Sequence, residues 1–287
     1  MELKEEQIFA TTPKPKAKTS VPFVIRFVAF HLIAVFGSIY AGVTQEALFC
    51  CIALYFIRMF GVTAGYHRYF SHRSFKTSRG FAFVLGFLAQ TSAQRGIIWW
   101  ARNHRHHHRF SDQENDMHSP VHYGFWHSHV GWIFKQENHA TNKNVKDLEK
   151  KWELRLLEKY PFTPAWILGV STYLLFDWSG LFFGFFFSTV LLFHGTFTIN
   201  SLAHVWGSRR FKTTDDSRNN WFLALITLGE GWHNNHHRYM NSARQGFYWW
   251  EVDITFYILK LLSYIGIVWD LRKVPAKVYA EAQLQSE

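Results

Sequence analysis

The run FVAFHLIAVFGSIYAGVTQEALFCCIALYFI, Phe27 to Ile57, contains neither Lys nor Arg and decides the architecture. One bilayer crossing takes about 20 apolar residues. The helices at 22–42 and 46–65 each reach that length, and Gly42-Val43-Thr44-Gln45 at their junction carries a turn signal. Trp166 to Ala203 repeats the pattern: no Lys or Arg, with Asp177-Trp178-Ser179-Gly180 as its turn. Two further helices follow, 164–178 and 181–203, with Pro161 and Pro164 marking their entry. The expected fold is therefore all-α: a multi-pass membrane protein with four transmembrane helices in two hairpins. The polar segments 66–162 and 204–275 form a helical cap. Residues 1–20 are polar and carry lysines without a cleavage-site pattern, so they read as a disordered cytosolic leader. Residues 21–275 read as one domain and 276–287 as a tail.

Charge placement sets the orientation. The chain has 31 Lys and Arg against 21 Asp and Glu, a net charge of +10. All the basic residues avoid the two apolar runs, and Arg26 and Arg58 flank the first. This is the positive-inside bias of a protein with its bulk and both termini in the cytosol, and it argues against nucleic acid as the partner. Basic residues at hairpin ends also suit anionic lipid head groups. Cys50 and Cys51 are the only cysteines. Adjacent and within a membrane helix, they exclude a disulfide framework. Phe81 to Ile98 reads as an interfacial or half-buried helix, not a span. Asn144 to Lys159 reads as a charged amphipathic helix with Val145, Leu148, Trp152 and Leu156 on one face, and Ile254 to Trp269 as a segment along the interface.

Histidines supply the chemistry. They fall in HRYFSH (67–72), HRHHH (104–108) and HNNHH (233–237), with His204 apart. In H-x-x-H-H the residues i, i+3 and i+4 share a helix face, so three rings can converge on one point. Neutral imidazole is the commonest metal ligand. Four crossings bring every cluster to the same side of the membrane. The candidate ligands are His67, His72, His104, His107, His108, His204, His233, His236 and His237, too many for one four-coordinate zinc and enough for two metals. Thiolate-free imidazole sets suit iron, copper or zinc. With no HExxH or Asp-rich motif, a di-iron site that activates O2 is the reading. His106 points away from the other three rings of its box by spacing. His31 and His194 lie within spans, where an ionisable group is a functional suspect; a neutral histidine bonded to a neighbouring helix is the alternative. His118, His122, His127, His129 and His139 read as structural, His129 having the best claim to packing or electron-donor docking.

The chain resembles the membrane fatty acyl desaturases of stearoyl-CoA (Δ9) type. The resemblance rests on Gly61-Val-Thr63-Ala-Gly65-Tyr-His67-Arg68 through His72, Trp100-Ala-Arg102-Asn103-His104-Arg105 through His108, and Ser128-His129-Val-Gly131-Trp132. Further on it rests on Asn200-Ser201-Leu-Ala203-His204, Gly229-Glu230-Gly231-Trp232-His233 through His237, Ser242-Ala243-Arg244-Gln-Gly246 and Trp250-Glu251-Val-Asp253. It covers about residues 20 to 275. It implies nine histidines shared between two irons, with Asn200 reaching one iron through a water. It also implies O2-dependent removal of two vicinal hydrogens from an acyl chain carried as a thioester or in a lipid. Glu230 and Asp112 are candidates to orient imidazoles, with helix capping or surface solvation as their other uses. Trp100, Arg102 and Asn103 are candidate substrate contacts. Acyl-CoA members carry Asp where this chain has Asn103, which leaves the carrier open. On 46–65, Cys51, Tyr55, Met59 and Thr63 recur every four residues, and Tyr55 is a candidate floor for an acyl tunnel. No haem, iron–sulfur or dinucleotide motif occurs, so the electrons come from a separate protein of ferredoxin or cytochrome b5 type, drawn to a basic face. The expected location is a bacterial inner membrane or the endoplasmic reticulum. The rival readings are a related histidine-box hydroxylase or ketolase and, more remotely, a divalent-metal transporter, whose ligands belong mid-membrane.

Overall fold

The computed structural model describes residues 18–135 and 144–284. Most of the leader, His139 and the end of the tail lie outside the described residues. In order, the principal elements are α1 (Val21–Ala41), α2 (Gln45–Ser71), β1 (Lys76–Thr77), α3 (Arg79–Gln90), α4 (Ile97–Phe110), α5 (Trp152–Lys159), α6 (Thr163–Ser179) and α7 (180–200). They are followed by α8 (Trp221–Ile226), α9 (His233–Arg238), α10 (Ile254–Tyr264), β2 (Val268–Trp269) and α11 (Ala276–Leu284). A two-residue antiparallel pairing of β1 with β2, Lys76 with Trp269 and Thr77 with Val268, interrupts the all-helical expectation.

Among the described residues, three helical runs are long and apolar enough to cross a membrane: α1, α2, and the 42-residue run Thr163–His204 that joins α6 to α7. This last run is not straight. Phe176 (φ −136°, ψ 18°) and Asp177 (φ 55°, ψ −154°) leave helical geometry. Beyond them Gly169 packs on the Phe185 ring and Gly180 on the Thr172 carbonyl. In a continuous helix the 16 positions from Gly169 to Phe185 would span about 24 Å, so the chain doubles back at the expected turn. The first hairpin turns at Gly42 (φ 71°), and Thr44 caps α2 by accepting from the Ala47 amide at 3.2 Å. The two tips meet: Ser179 Oγ donates to the Gly42 carbonyl (2.9 Å) and accepts from the Thr44 amide (3.2 Å). Both turns therefore lie together, and the histidine-bearing ends of α2 and α7 lie together at the opposite end.

α2 runs past residue 65 to Ser71, and from Gly61 onward its backbone takes the wider π-helical turn, a rare geometry found mostly at functional sites. Gly61 and Gly65 let α3 approach closely, with Leu88 and the Leu85 carbonyl filling the space a side chain would take, the small-residue contact familiar between membrane helices. Tyr66, Phe70, Leu85, Ile97 and Leu154 form a fully buried core around this end of α2.

Two expectations need correction. Phe81 to Ile98 is not one helix. α3 stops at Gln90 as Thr91 and Ser92 bond back to Leu88 and Ala89, and Ala93 (φ 57°) and Arg95 (φ 72°) turn the chain before α4. Asn144 to Lys159 breaks at Lys150 and Lys151. The break rotates the second half, so Leu154 and Leu157 are buried while Trp152 and Leu156 face outward.

His31 and His194 meet inside the helical bundle, Nε2 to Nε2 at 3.0 Å; His194 continues to His129 (2.9 Å) and His129 to Ser201 Oγ (2.9 Å). With His31 Nδ1 donating to the Phe27 carbonyl, one set of neutral tautomers satisfies the whole ladder, as a neutral pair tying neighbouring helices requires.

Candidate metal centre

The π-helical end of α2 supplies His67, and His72 follows one residue beyond it. α4 supplies His104, His107 and His108, the turn after α7 supplies His204, and α9 supplies His233, His236 and His237. These rings sort into two groups: His67, His72, His104, His108 and His236, and His107, His204, His233 and His237. Within each group the ligand atoms all lie within 4.8 Å of one another. The three rings of an H-x-x-H-H box thus do not converge on one point. At 100° per residue, i and i+4 point 40° apart, whereas i+3 swings 60° to the other side of i. His104 and His108 accordingly face the first group and His107 the second. His233 and His237 face the second and His236 the first.

In the first group Nε2 atoms confront one another: His67 to His236 at 3.0 Å, His72 to His104 at 2.8 Å, and His108 to His104 and to His236 at 3.0 Å each. In the second, His204 meets His233 at 3.1 Å. A neutral imidazole has a single N–H, and carboxylates claim several of these on Nδ1. His204 donates to Asp112 (2.8 Å), His107 to Asp116 (3.0 Å) and His237 to Asp215 (2.7 Å), while His67 pairs with Glu230. Their Nε2 atoms are left as lone pairs, and His237 Nε2 is buried without any partner. Lone pairs gathered this closely call for a cation. Metal–imidazole bonds of about 2.1 Å place neighbouring octahedral ligands about 3.0 Å apart, the spacing found here.

The electrostatics agree. Burial, followed by the neighbouring imidazoles, holds His72, His104, His108, His233 and His236 well below the ordinary histidine range, keeping them neutral. Burial pulls Asp112, Asp116 and Asp215 upward, but their histidine partners overcome it and keep each below the carboxylate range. Five neutral rings beside ionised carboxylates suit metal ligation, while the burial of His107 is overcome by Asp116, which pulls it upward.

Of the two carboxylates singled out in the sequence, Glu230 pairs with His67 and Asp112 accepts from His204. Asp116 and Asp215 were not anticipated. Asp116 lies in the turns after α4, which ends at Phe110, and Asp215 sits in an irregular loop, so neither carries a periodic signal. Arg68, inside the first box, is buried against Glu230 and Asp253 and ties α2 to the third. His106 turns outward to the Asn115 carbonyl. His118 is buried, lies tilted against His107 with ring centroids 4.3 Å apart, and joins Asp116 and His107 in a further cluster.

A cavity of about 460 Å³ begins at His104 and Asn200 and runs outward between α1, α4 and α7. Trp100 and Asn103 line it. Trp100 stacks on His104 (4.8 Å) and Tyr66 (5.3 Å), and Asn103 donates to the Trp99 carbonyl (2.8 Å). Arg102 is turned away to Glu149 (3.0 Å). Tyr55 and Cys51 do not line this cavity. The Tyr55 hydroxyl donates to the Ile226 carbonyl (2.9 Å), and Met59 and Thr63 are buried against α7 and α10, so the stripe is a helix-packing face. The cavity walls come instead from α1 and α7, through Phe27, Phe30, Phe193 and Phe197.

Two histidine groups beside an apolar cavity match what a comparison of sequences finds: residues 46–264 fit the model of the fatty acid desaturase family. The chain belongs to that family. It is 36% identical over 266 residues to an acyl-CoA C20 Δ5-desaturase of Anemone leveillei, covering 91% of this chain and 84% of that one. With Δ9 acyl-lipid desaturase 2 of Arabidopsis thaliana it shares 39% over 251 residues, 86% and 80% of the two chains. A palmitoyl-monogalactosyldiacylglycerol Δ7 desaturase of the same plant is 36% identical over 246 residues, 84% and 64%. The desaturase is thus an oxidoreductase acting on fatty acyl chains, and its family is known for a di-iron centre.

Proposed function

We propose that this desaturase introduces a cis double bond at the Δ9 position of a saturated acyl chain. It would use two irons, O2 and two electrons from a separate carrier of ferredoxin or cytochrome b5 type. The observation that carries the reading is the sorting of nine histidines into groups of five and four at the inner end of an apolar cavity. The balance is RCH2CH2R′ + O2 + 2e⁻ + 2H⁺ → RCH=CHR′ + 2H2O. The metal pair, when bound, supplies the oxidising power for both C–H cleavages. The protein's residues do the rest. Phe27, Phe193 and Phe197 exclude water and hold the chain extended. Trp100, stacked on ligand His104, presses it toward the metals. Asn200 lines the cavity and would reach one iron through a water. Asp112, Asp116, Asp215 and Glu230 hold the imidazole protons on Nδ1.

Two hairpins with their tips together support four crossings, and the basic residues gathered at the opposite end support cytosolic termini. The test is expression in a host lacking desaturases, with double-bond positions mapped in the extracted lipids. Monounsaturated Δ9 products are expected. Hydroxylated products, or metal transport with unchanged lipids, would overturn the assignment.

A further inference from the structure

Among the described residues, two guanidinium groups at the cavity have no carboxylate within ion-pair distance. Arg26, in the first turns of α1, is exposed and marks the mouth together with Trp166; Arg95, just before α4, is half-buried. Both approach the Phe23 ring, with their Cζ atoms 5.6 and 3.7 Å from its centroid, and Arg95 also lies 4.6 Å from Trp99. Among the described residues, the Arg95 guanidinium donates to the Ile133 carbonyl (3.1 Å). The nearest acid in the neighbourhood, Glu158, is engaged elsewhere, taking the Ile98 and Trp99 amides at 2.8 and 3.2 Å to cap α4. Burial, and then the charge of Arg26, push the Arg95 guanidinium down to about 10, with Glu158 only partly compensating. Arg95 also holds a left-handed backbone (φ 72°) that side chains adopt at a cost. Two mutually repelling cations over one aromatic ring, one of them strained, form a receptor for an anion.

We propose that Arg26 and Arg95 clamp the phosphate of the acyl carrier, so that the desaturase takes phosphate-bearing substrates in preference to neutral glycolipids. The inference rests on the cavity being the acyl site of the proposed desaturase. Ile97 to His104 rises about 10 Å within α4, and the two non-helical residues back to Arg95 add at most about 7 Å. Eight C–C bonds, each advancing an extended chain about 1.3 Å, bring the ninth carbon about 10 Å from the carbonyl. A phosphodiester a few bonds from its acyl ester fits the remainder, whereas coenzyme A holds its phosphates a whole pantetheine arm away. The geometry therefore favours a glycerophospholipid as the source of the phosphate.

The test uses the iron-loaded full chain in nanodiscs, with Arg26→Gln and Arg95→Gln beside the wild type. The substrates are a stearoyl phospholipid, stearoyl-CoA and a stearoyl monogalactolipid. Loss of a charge-assisted hydrogen bond predicts a KM for the phosphate-bearing substrate raised roughly 10- to 100-fold, with kcat little changed and galactolipid turnover unaffected. Wild-type preference for phospholipid over stearoyl-CoA identifies the diester; the reverse moves the phosphate to coenzyme A within the same clamp. An unchanged KM in both variants, equal losses on the galactolipid, or a wild type that prefers the galactolipid overturns the proposal. Arg26→Gln removes no hydrogen bond, so it remains informative even if Arg95→Gln disturbs folding. Equilibrium binding of the three lipids without an electron donor separates failure of the clamp from failure of the desaturase assignment, because it reads recognition whether or not a double bond forms.

Discussion

Replacing Asp215 by Asn tests the carboxylate–imidazole arrangement without removing a ligand. Asp215 Oδ2 takes the Nδ1 proton of His237 at 2.7 Å, its Oδ1 is held by Ser217, and His237 Nε2 has no partner of its own. A carboxylate can only accept, so His237 must present its Nε2 lone pair to the metal group. An amide of the same shape can turn its NH2 toward Nδ1 and stabilise the opposite tautomer, whose Nε2–H cannot ligate. Loss of such an orienting partner weakens metal binding roughly 10- to 100-fold, about 1.4 to 2.7 kcal/mol. The assay is metal retained per chain against increasing chelator, with Asp216→Asn as the control. Asp216 is the next residue, and its half-exposed carboxylate pairs only with surface Arg209, a contact worth at most about 1 kcal/mol. Equal retention in Asp215→Asn and wild type would show that the aspartate does not fix the ligand, and the tautomer reasoning would fail.

His107→Ala and His236→Ala strike different groups, so each should lower iron from near two per chain and abolish turnover while leaving membrane insertion intact; full activity, or an active preparation with one zinc, refutes the di-iron assignment. Cysteines at Thr44 and Ser179 should be labelled from one side of the membrane, and one at Ser286 from the other. Labelling of Thr44 and Ser179 from opposite faces would break the two-hairpin topology. Ala165→Phe adds a ring inside the cavity wall beside Trp166, so KM should rise for every acyl substrate whatever its length, at an unchanged double-bond position; an unaltered KM would mean that the acyl chain does not pass Ala165.

Much of this could be read from residue order because the signals were local. The two runs without Lys or Arg located the helices, and Asp177 and Gly42 fell at the turns that form. The boxes identified the imidazoles, since metal sites demand particular side chains. What was not legible depended on packing. The division of each box between two groups follows from where α4 and α9 cross. Asp215 reaches His237 only because a loop returns to it. Tyr55 had the right depth for a tunnel floor, but Gly195 opens α7 at that level and draws Tyr55 into helix packing. Arg58 looked like a flanking charge; it is fully buried, donating to Ser188, Thr189 and backbone carbonyls.

The first histidine group joins residues as far as 169 positions apart, and α9 contributes to both groups. Neither can close until nearly the whole chain has been made and α9 has swung back onto α2 and α4. Until then, buried imidazole lone pairs face one another uncompensated, which is costly. Metal capture by these groups would then come last in assembly and would itself drive folding. The abundance of intact protein should follow metal supply, visible as protease sensitivity around residues 233–238 in metal-starved cells.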